Sequence, residues 1–96
     1  MIEIEKYLDD HRERNENELF DLLRIASVST DSQYSPEVTK AGHWVASQFE
    51  ALGFETEVVQ TQGHPIVYAE TPAVAGVPVV LVYGHYDVQP PDPLDE

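Results

Sequence analysis

The sequence contains no cysteine, which excludes disulfides, thiolate metal sites and a cysteine nucleophile. It is also poor in bases, since 5 lysines and arginines stand against 18 acids and give a formal net charge of −13. Such a chain lacks the basic face that nucleic acids and anionic membrane surfaces require. It has neither the ~20 consecutive apolar residues of a membrane-spanning helix nor a basic-then-apolar targeting segment. These absences predict a soluble, cytoplasmic protein in which only His, Asp or Glu could hold a metal.

The first half of the chain predicts two helices within one small domain of 96 residues. No glycine or proline interrupts residues 3–25, and Leu8, Leu19, Leu22, Leu23 and Ala26 can form one apolar stripe. The second helix is predicted over 36–52, with Ser35 as N-cap, Pro36 in the first turn and Gly53 as the stop. Its apolar positions at helical spacing are Val38, Ala41, Val45, Phe49 and Leu52.

After Gly53 the pattern changes to that of strands. Phe54, Thr56 and Val58 alternate with two glutamates, which predicts a half-exposed strand. A turn at 61–65 leads into a second strand at 66–70. Residues 77–83 are apolar on both faces, which is typical of a strand in the middle of an α/β sheet. The predicted fold class is α/β, with two helices followed by three strands. Because too few elements are present to cover the third strand, the sheet is expected to be incomplete.

The predicted buried strand leads directly into Gly84, His85, Tyr86 and Asp87. In open α/β sheets, ligands bind at the C-terminal ends of central strands. Two residues apart in a strand, His85 and Asp87 would share a face at a spacing of about 6.6 Å. The carboxylate could then hold one imidazole nitrogen while the other faces a metal. The spacing alone leaves two interpretations open, a metal site or a hydrogen-bonded pair at a strand end.

A wider stretch of sequence carries a family resemblance. Residues 79–90, Val-Val-Leu-Val-Tyr-Gly-His-Tyr-Asp-Val-Gln-Pro, closely resemble a signature of the zinc metallopeptidases that include carnosinase-like dipeptidases, aminoacylases, acetylornithine deacetylase and glutamate carboxypeptidases. Residues 22–29, 49–54 and 64–69 also resemble passages of that family. Tyr86, Gln89 and the sequence at 91–94 are most similar to the dipeptidase branch, whereas Ala26 stands where the family more often has proline.

The resemblance implies a function for the complete protein. It makes His85 a zinc ligand and Asp87 the active-site carboxylate that orients its imidazole. Residues 1–96 would be the N-terminal portion of a phosphorylase/hydrolase-like zinc exopeptidase catalytic domain, without the lid or dimerisation domain. The complete enzyme would hold two zinc ions, cleave dipeptides or N-acyl amino acids and be able to form a homodimer. Its remaining ligands and general base would lie beyond residue 96, so the 96-residue chain is expected to be inactive.

The other histidines, two tyrosines and the C-terminal acids have structural explanations. His11 is expected to be solvated, His43 to pack on a helix face and His64 to be structural in its turn. Tyr68 and Tyr83 are expected in the core, and the acids at 92, 95 and 96 in solvent. The alternative function is a non-catalytic α/β module that keeps the fold and acts through protein contacts.

Overall fold

Helices occupy the first half of the chain in the computed structural model, which describes residues 2–91 without the side chain of Ile2. Helix α1 spans Ile2–Asp10, α2 spans Arg12–Leu23 and α3 spans Ser35–Ala51, with a 3₁₀ turn at Ser32–Tyr34 before α3. Two strands follow, β1 at Glu55–Val59 and β2 at Ile66–Glu70. Within these described residues no helix is both long and apolar enough to cross a membrane. The acidic tail at 92–96 lies outside them.

The predicted single helix over 3–25 is divided at His11, where the backbone has φ −110° and ψ 13°. The amide N–H of His11 donates to the carbonyl oxygen of Tyr7 at 3.1 Å, and the imidazole Nδ1–H donates to the same oxygen at 2.8 Å. The side chain thus competes for an acceptor of the helix, which distorts the backbone there. The predicted apolar stripe is not buried, since Leu19 is 51% and Leu23 58% exposed.

The buried apolar residues lie on α3 and, as Ile25 and Val28, in the loop after α2, and α3 packs on the hairpin of β1 and β2. The strands are antiparallel, with Thr56 opposite Ala69 and Val58 opposite Val67. These four side chains are half-buried, whereas the glutamates of both strands are exposed. The alternation predicted for β1 is therefore confirmed. Helix α3 packs on the hairpin and buries one of its faces, formed by Val38, Ala41, Gly42 and Ala46.

Helix α3 begins one residue earlier than predicted. Ser35 is its first residue rather than its N-cap, and Tyr34 occupies the cap position without a side-chain hydrogen bond. Pro36 lies in the first turn, as predicted. The missing cap is compensated one turn earlier, where the Asp31 carboxylate accepts a hydrogen bond from the Gln33 amide at 2.9 Å and starts the 3₁₀ turn.

The C-terminus of α3 is a Schellman motif. Gly53 has φ +87°, the left-handed conformation that favours glycine, and its amide N–H donates to the carbonyl oxygen of Glu50 at 2.9 Å. The Phe54 amide donates to the carbonyl oxygen of Phe49 at 3.1 Å, and the two rings lie 5.3 Å apart. The predicted stop at Gly53 is thus confirmed. Leu52, which was predicted on the apolar face, is the residue that follows the last helical residue and is 73% exposed.

The third strand predicted over 77–83 is not formed among the described residues. The segment is extended and irregular, with Val79 94% and Tyr83 91% exposed. A strand needs a neighbour for its backbone groups, and β1 and β2 pair with each other in a two-stranded sheet. Pro78 also lacks an amide donor. The expectations of a buried third strand, of Tyr83 in the core and of Tyr68 in the core (52% exposed) were therefore wrong.

Candidate functional site

Residues 84–88 return to the folded part of the chain beside the loop that follows α2. The Val88 amide N–H donates to the carbonyl oxygen of Ser27 at 2.9 Å, and Val88 forms an isolated parallel bridge with Val28. The Ser27 hydroxyl donates to the carbonyl oxygen of Tyr86 at 3.1 Å. Ser27 is 1% and Val28 6% exposed. The backbone of the candidate site is therefore anchored on a buried loop from the beginning of the chain.

Tyr86 attaches the same segment to α3 and to the hairpin loop. Its hydroxyl donates to the carbonyl oxygen of Pro65 at 2.5 Å. Its ring lies over Gly42, where an added Cβ would be 3.3 Å from Cζ and from Oη of Tyr86. Partial burial, followed by the negative charge of Asp87, raises the pKa of Tyr86. The neutral hydroxyl is thus favoured, as its role as a hydrogen-bond donor requires.

His85 and Asp87 form a direct pair. The imidazole Nδ1 lies 3.0 Å from Oδ1 of Asp87 and 3.1 Å from the backbone oxygen of Asp87. A carbonyl and an ionised carboxylate can only accept, so Nδ1 carries the hydrogen and donates to both. In the neutral imidazole Nε2 then has a free lone pair, on a side chain that is 76% exposed. The hydrogen bond that both interpretations of the spacing required is therefore formed, although residues 84–87 are not part of a strand. The exposed Nε2 could act as a donor to a metal.

Ser29 holds the other oxygen of the same carboxylate. Its hydroxyl donates to Oδ2 of Asp87 at 2.5 Å. This hydrogen bond is the main reason why the pKa of Asp87 is lowered; partial burial opposes the shift, and the hydrogen bond from His85 adds to it. The backbone oxygen of Ser29 accepts from His64 Nε2 at 2.9 Å. A continuous set of hydrogen bonds therefore runs from the hairpin loop through Ser29 to His85.

The remaining histidines lie elsewhere. His64 supports the loop structurally, as its position in a turn suggested. His43 is exposed on α3 instead of packing on its face, and His11 is half-buried against Tyr7, with 4.1 Å between the ring centroids. Across residues 2–91, no three His, Asp or Glu side chains come together in a group that could hold a metal ion. The described residues thus offer single donors, of which His85 is the best oriented.

Several residues of the site were missed in the sequence. Ser27, Ser29 and Gly42 make the contacts described above, and all three lie more than 40 residues from the segment they hold. One signal was present, since Ser27, Val28 and Ser29 alternate polar and apolar residues as in an extended segment. This alternation predicts serines on one face but cannot identify the carboxylate they meet.

Fold and site together define a mixed helix-and-hairpin unit that presents a carboxylate-oriented imidazole. The chain is similar to the Cys-Gly metallodipeptidase DUG1 of Candida albicans (strain SC5314 / ATCC MYA-2876), with 35% identity over 81 residues. The match covers 71% of this chain and 17% of the metallodipeptidase, so the chain spans about a sixth of the length of that relative. No protein-family model matches, and no solved structure matches significantly. The similarity is to one part of a metallodipeptidase.

Proposed function

We propose that this chain is part of a dizinc hydrolase that cleaves dipeptides or related amide bonds, such as those of N-acyl amino acids. The observation that carries the proposal is the His85–Asp87 pair, whose Nδ1–Oδ1 contact of 3.0 Å leaves Nε2 available on an exposed side chain. The partial similarity to a Cys-Gly metallodipeptidase supports the same chemistry. The resemblance of Tyr86 and Gln89 to the dipeptidase branch favours dipeptides as substrates. The complete protein would be cytoplasmic and able to form a homodimer.

The roles proposed for the two residues follow from their contacts. His85 would bind zinc through Nε2, and Asp87 would fix the tautomer and make the imidazole a better donor. A zinc ion bound in such a centre lowers the pKa of a bound water to about 7 and so supplies the nucleophile. A catalytic zinc takes about three protein ligands. One imidazole fits that set but does not complete it. In this proposal the other ligands come from residues outside 2–91, and the 96-residue chain is expected to be inactive.

Substitutions in the full-length protein separate the two roles. His85→Ala should lower the bound zinc and abolish turnover of Cys-Gly or a similar dipeptide. Asp87→Asn should retain most of the zinc but lower activity about 10- to 100-fold, as is usual for residues that orient a ligand. His43→Ala, which removes an exposed imidazole on α3, is the matched control and should change neither quantity.

Metal analysis and turnover are measured on the same preparations. Two equivalents of zinc and normal turnover in the His85→Ala protein would show that His85 is structural and that the assignment is wrong. A folded full-length protein that binds no zinc and cleaves no dipeptide would favour the alternative of a non-catalytic interaction module.

A further inference from the structure

Asp87 makes two side-chain hydrogen bonds through different oxygen atoms. Oδ1 accepts from His85, two residues away, and Oδ2 accepts from Ser29, 58 residues away. The torsion that rotates an aspartate carboxylate is broad and roughly two-fold, so one hydrogen bond at Oδ1 leaves the orientation of the group poorly determined. A second hydrogen bond at Oδ2 fixes the carboxylate plane.

Ser29 is itself held in place from several directions. Its backbone oxygen accepts from His64 Nε2 at 2.9 Å. The neighbouring Val28 is buried and forms the bridge with Val88. The carbonyl oxygen of Ser27 accepts a hydrogen bond from the Val88 amide. Ser29 is half-buried. The Ser29 hydroxyl is therefore a fixed donor, because the loop that carries it is bonded both to His64 and to Val88.

We propose that Ser29 is a positioning residue, whose hydroxyl holds the Asp87 carboxylate so that His85 keeps its hydrogen on Nδ1 and presents Nε2. The proposal rests on the proposed function only in assigning Nε2 to a metal. The orientation of the imidazole by Ser29 through Asp87 is a property of the chain without metal. It extends the site to the loop after α2, which supplies none of the ligands proposed above.

The expected effect is limited by a second acceptor. The backbone oxygen of Asp87 lies 3.1 Å from His85 Nδ1 and remains when the carboxylate is released. A hydrogen bond to a charged group is stronger than one to a neutral carbonyl by roughly 0.5–1 kcal/mol, which corresponds to about a two- to fivefold change in a population ratio. Loss of the Ser29 hydroxyl should therefore lower the ratio of Nδ1–H to Nε2–H tautomer by about two- to fivefold, while the hydrogen bond from Nδ1 to the backbone oxygen of Asp87 remains.

The test compares Ser29→Thr with Ser29→Val in the 96-residue chain without metal. These variants differ by one hydroxyl against one methyl group, so both place the same branched side chain in the loop. Imidazole ¹⁵N shifts of His85, recorded at about pH 8.5 where an ordinary histidine is neutral, report the tautomer. We expect Ser29→Thr to match the unsubstituted chain and Ser29→Val to show the lower ratio. Ser47→Ala removes an exposed hydroxyl on α3 and should leave the ratio unchanged.

A second measurement separates positioning from folding. The Val88 amide donates a hydrogen bond to Ser27, so its protection from hydrogen exchange reports whether residues 84–88 remain docked. If Ser29→Val weakens that protection, Ser29→Ala, which adds no methyl groups, makes the same comparison with the loop intact. An unchanged tautomer ratio in a docked variant without the hydroxyl would overturn the proposal. Because no metal is present, this result is independent of whether His85→Ala lowers the zinc content of the full-length protein, which tests the proposed function.

Discussion

The docking of residues 84–88 on α3 depends on the absence of a side chain at position 42. A Cβ on Gly42 would lie 3.3 Å from Cζ and Oη of Tyr86, closer than the roughly 3.5–4.0 Å of a relaxed carbon contact. Tyr86 cannot retreat freely, because its hydroxyl donates to Pro65 at 2.5 Å. Gly42→Ala is therefore a direct probe of this contact.

Two opposing effects set the size of the change. In a helix interior alanine is favoured over glycine by about 1 kcal/mol. Against this gain, the Tyr86 ring must move, and overpacking of this kind costs about 1–3 kcal/mol. We therefore expect Gly42→Ala to be between neutral and about 2 kcal/mol destabilising in the otherwise unchanged chain. In the Tyr86→Ala background, where the ring is absent, the same change should stabilise by about 1 kcal/mol.

Urea unfolding of the four proteins, followed by the fluorescence of Trp44, gives the coupling between the two positions. We expect a coupling free energy of about 1–3 kcal/mol. Ser47→Ala, on the exposed face of α3, should have the same effect in both backgrounds. A Gly42→Ala effect equal in sign and size with and without Tyr86 would refute the contact, and with it the placement of the candidate site against α3.

Three further predictions test other features of the structure. Gly53→Ala should destabilise the chain by about 1–2 kcal/mol in thermal unfolding, because φ is +87° and alanine disfavours that conformation even where there is space for a Cβ. Gly63→Ala should be neutral or slightly stabilising. Equal effects of the two substitutions would contradict the Schellman motif. Val38→Ala, at a position that is 1% exposed, should lower the free energy of unfolding by about 2 kcal/mol. Val79→Ala, at a position that is 94% exposed, should change it by no more than about 0.5 kcal/mol. The reverse order would contradict the described core. The exposed segment 77–83 should make the chain self-associate, and more strongly at high salt because salt screens the −13 charge. Leu81→Glu should reduce the association. Sedimentation that shows a monomer at every salt concentration would disprove this prediction.

The elements that could be predicted from the sequence are those determined by local interactions. Helix α3 and its end at Gly53 follow from helical spacing and from the glycine that the left-handed conformation favours. The strand β1 follows from alternation, and its partner from the turn between them. His85 and Asp87 are two residues apart, so their contact also requires only local geometry. The break at His11 was missed because it depends on an imidazole competing for a backbone acceptor, which no apolar pattern records.

Residues 84–88 are held against the folded part of the chain, whereas the preceding segment 77–83 is exposed, and the two depend on different interactions. An apolar run such as 77–83 gains its structure from neighbouring strands, and without them its side chains stay exposed. Residues 84–88 instead depend on individual hydrogen bonds to Ser27, Ser29 and Pro65, all of which the chain itself supplies. The orientation of His85 therefore does not require the sheet to be complete. It follows that strands pairing with 77–83 would meet an imidazole that is already oriented, and would not have to create that orientation.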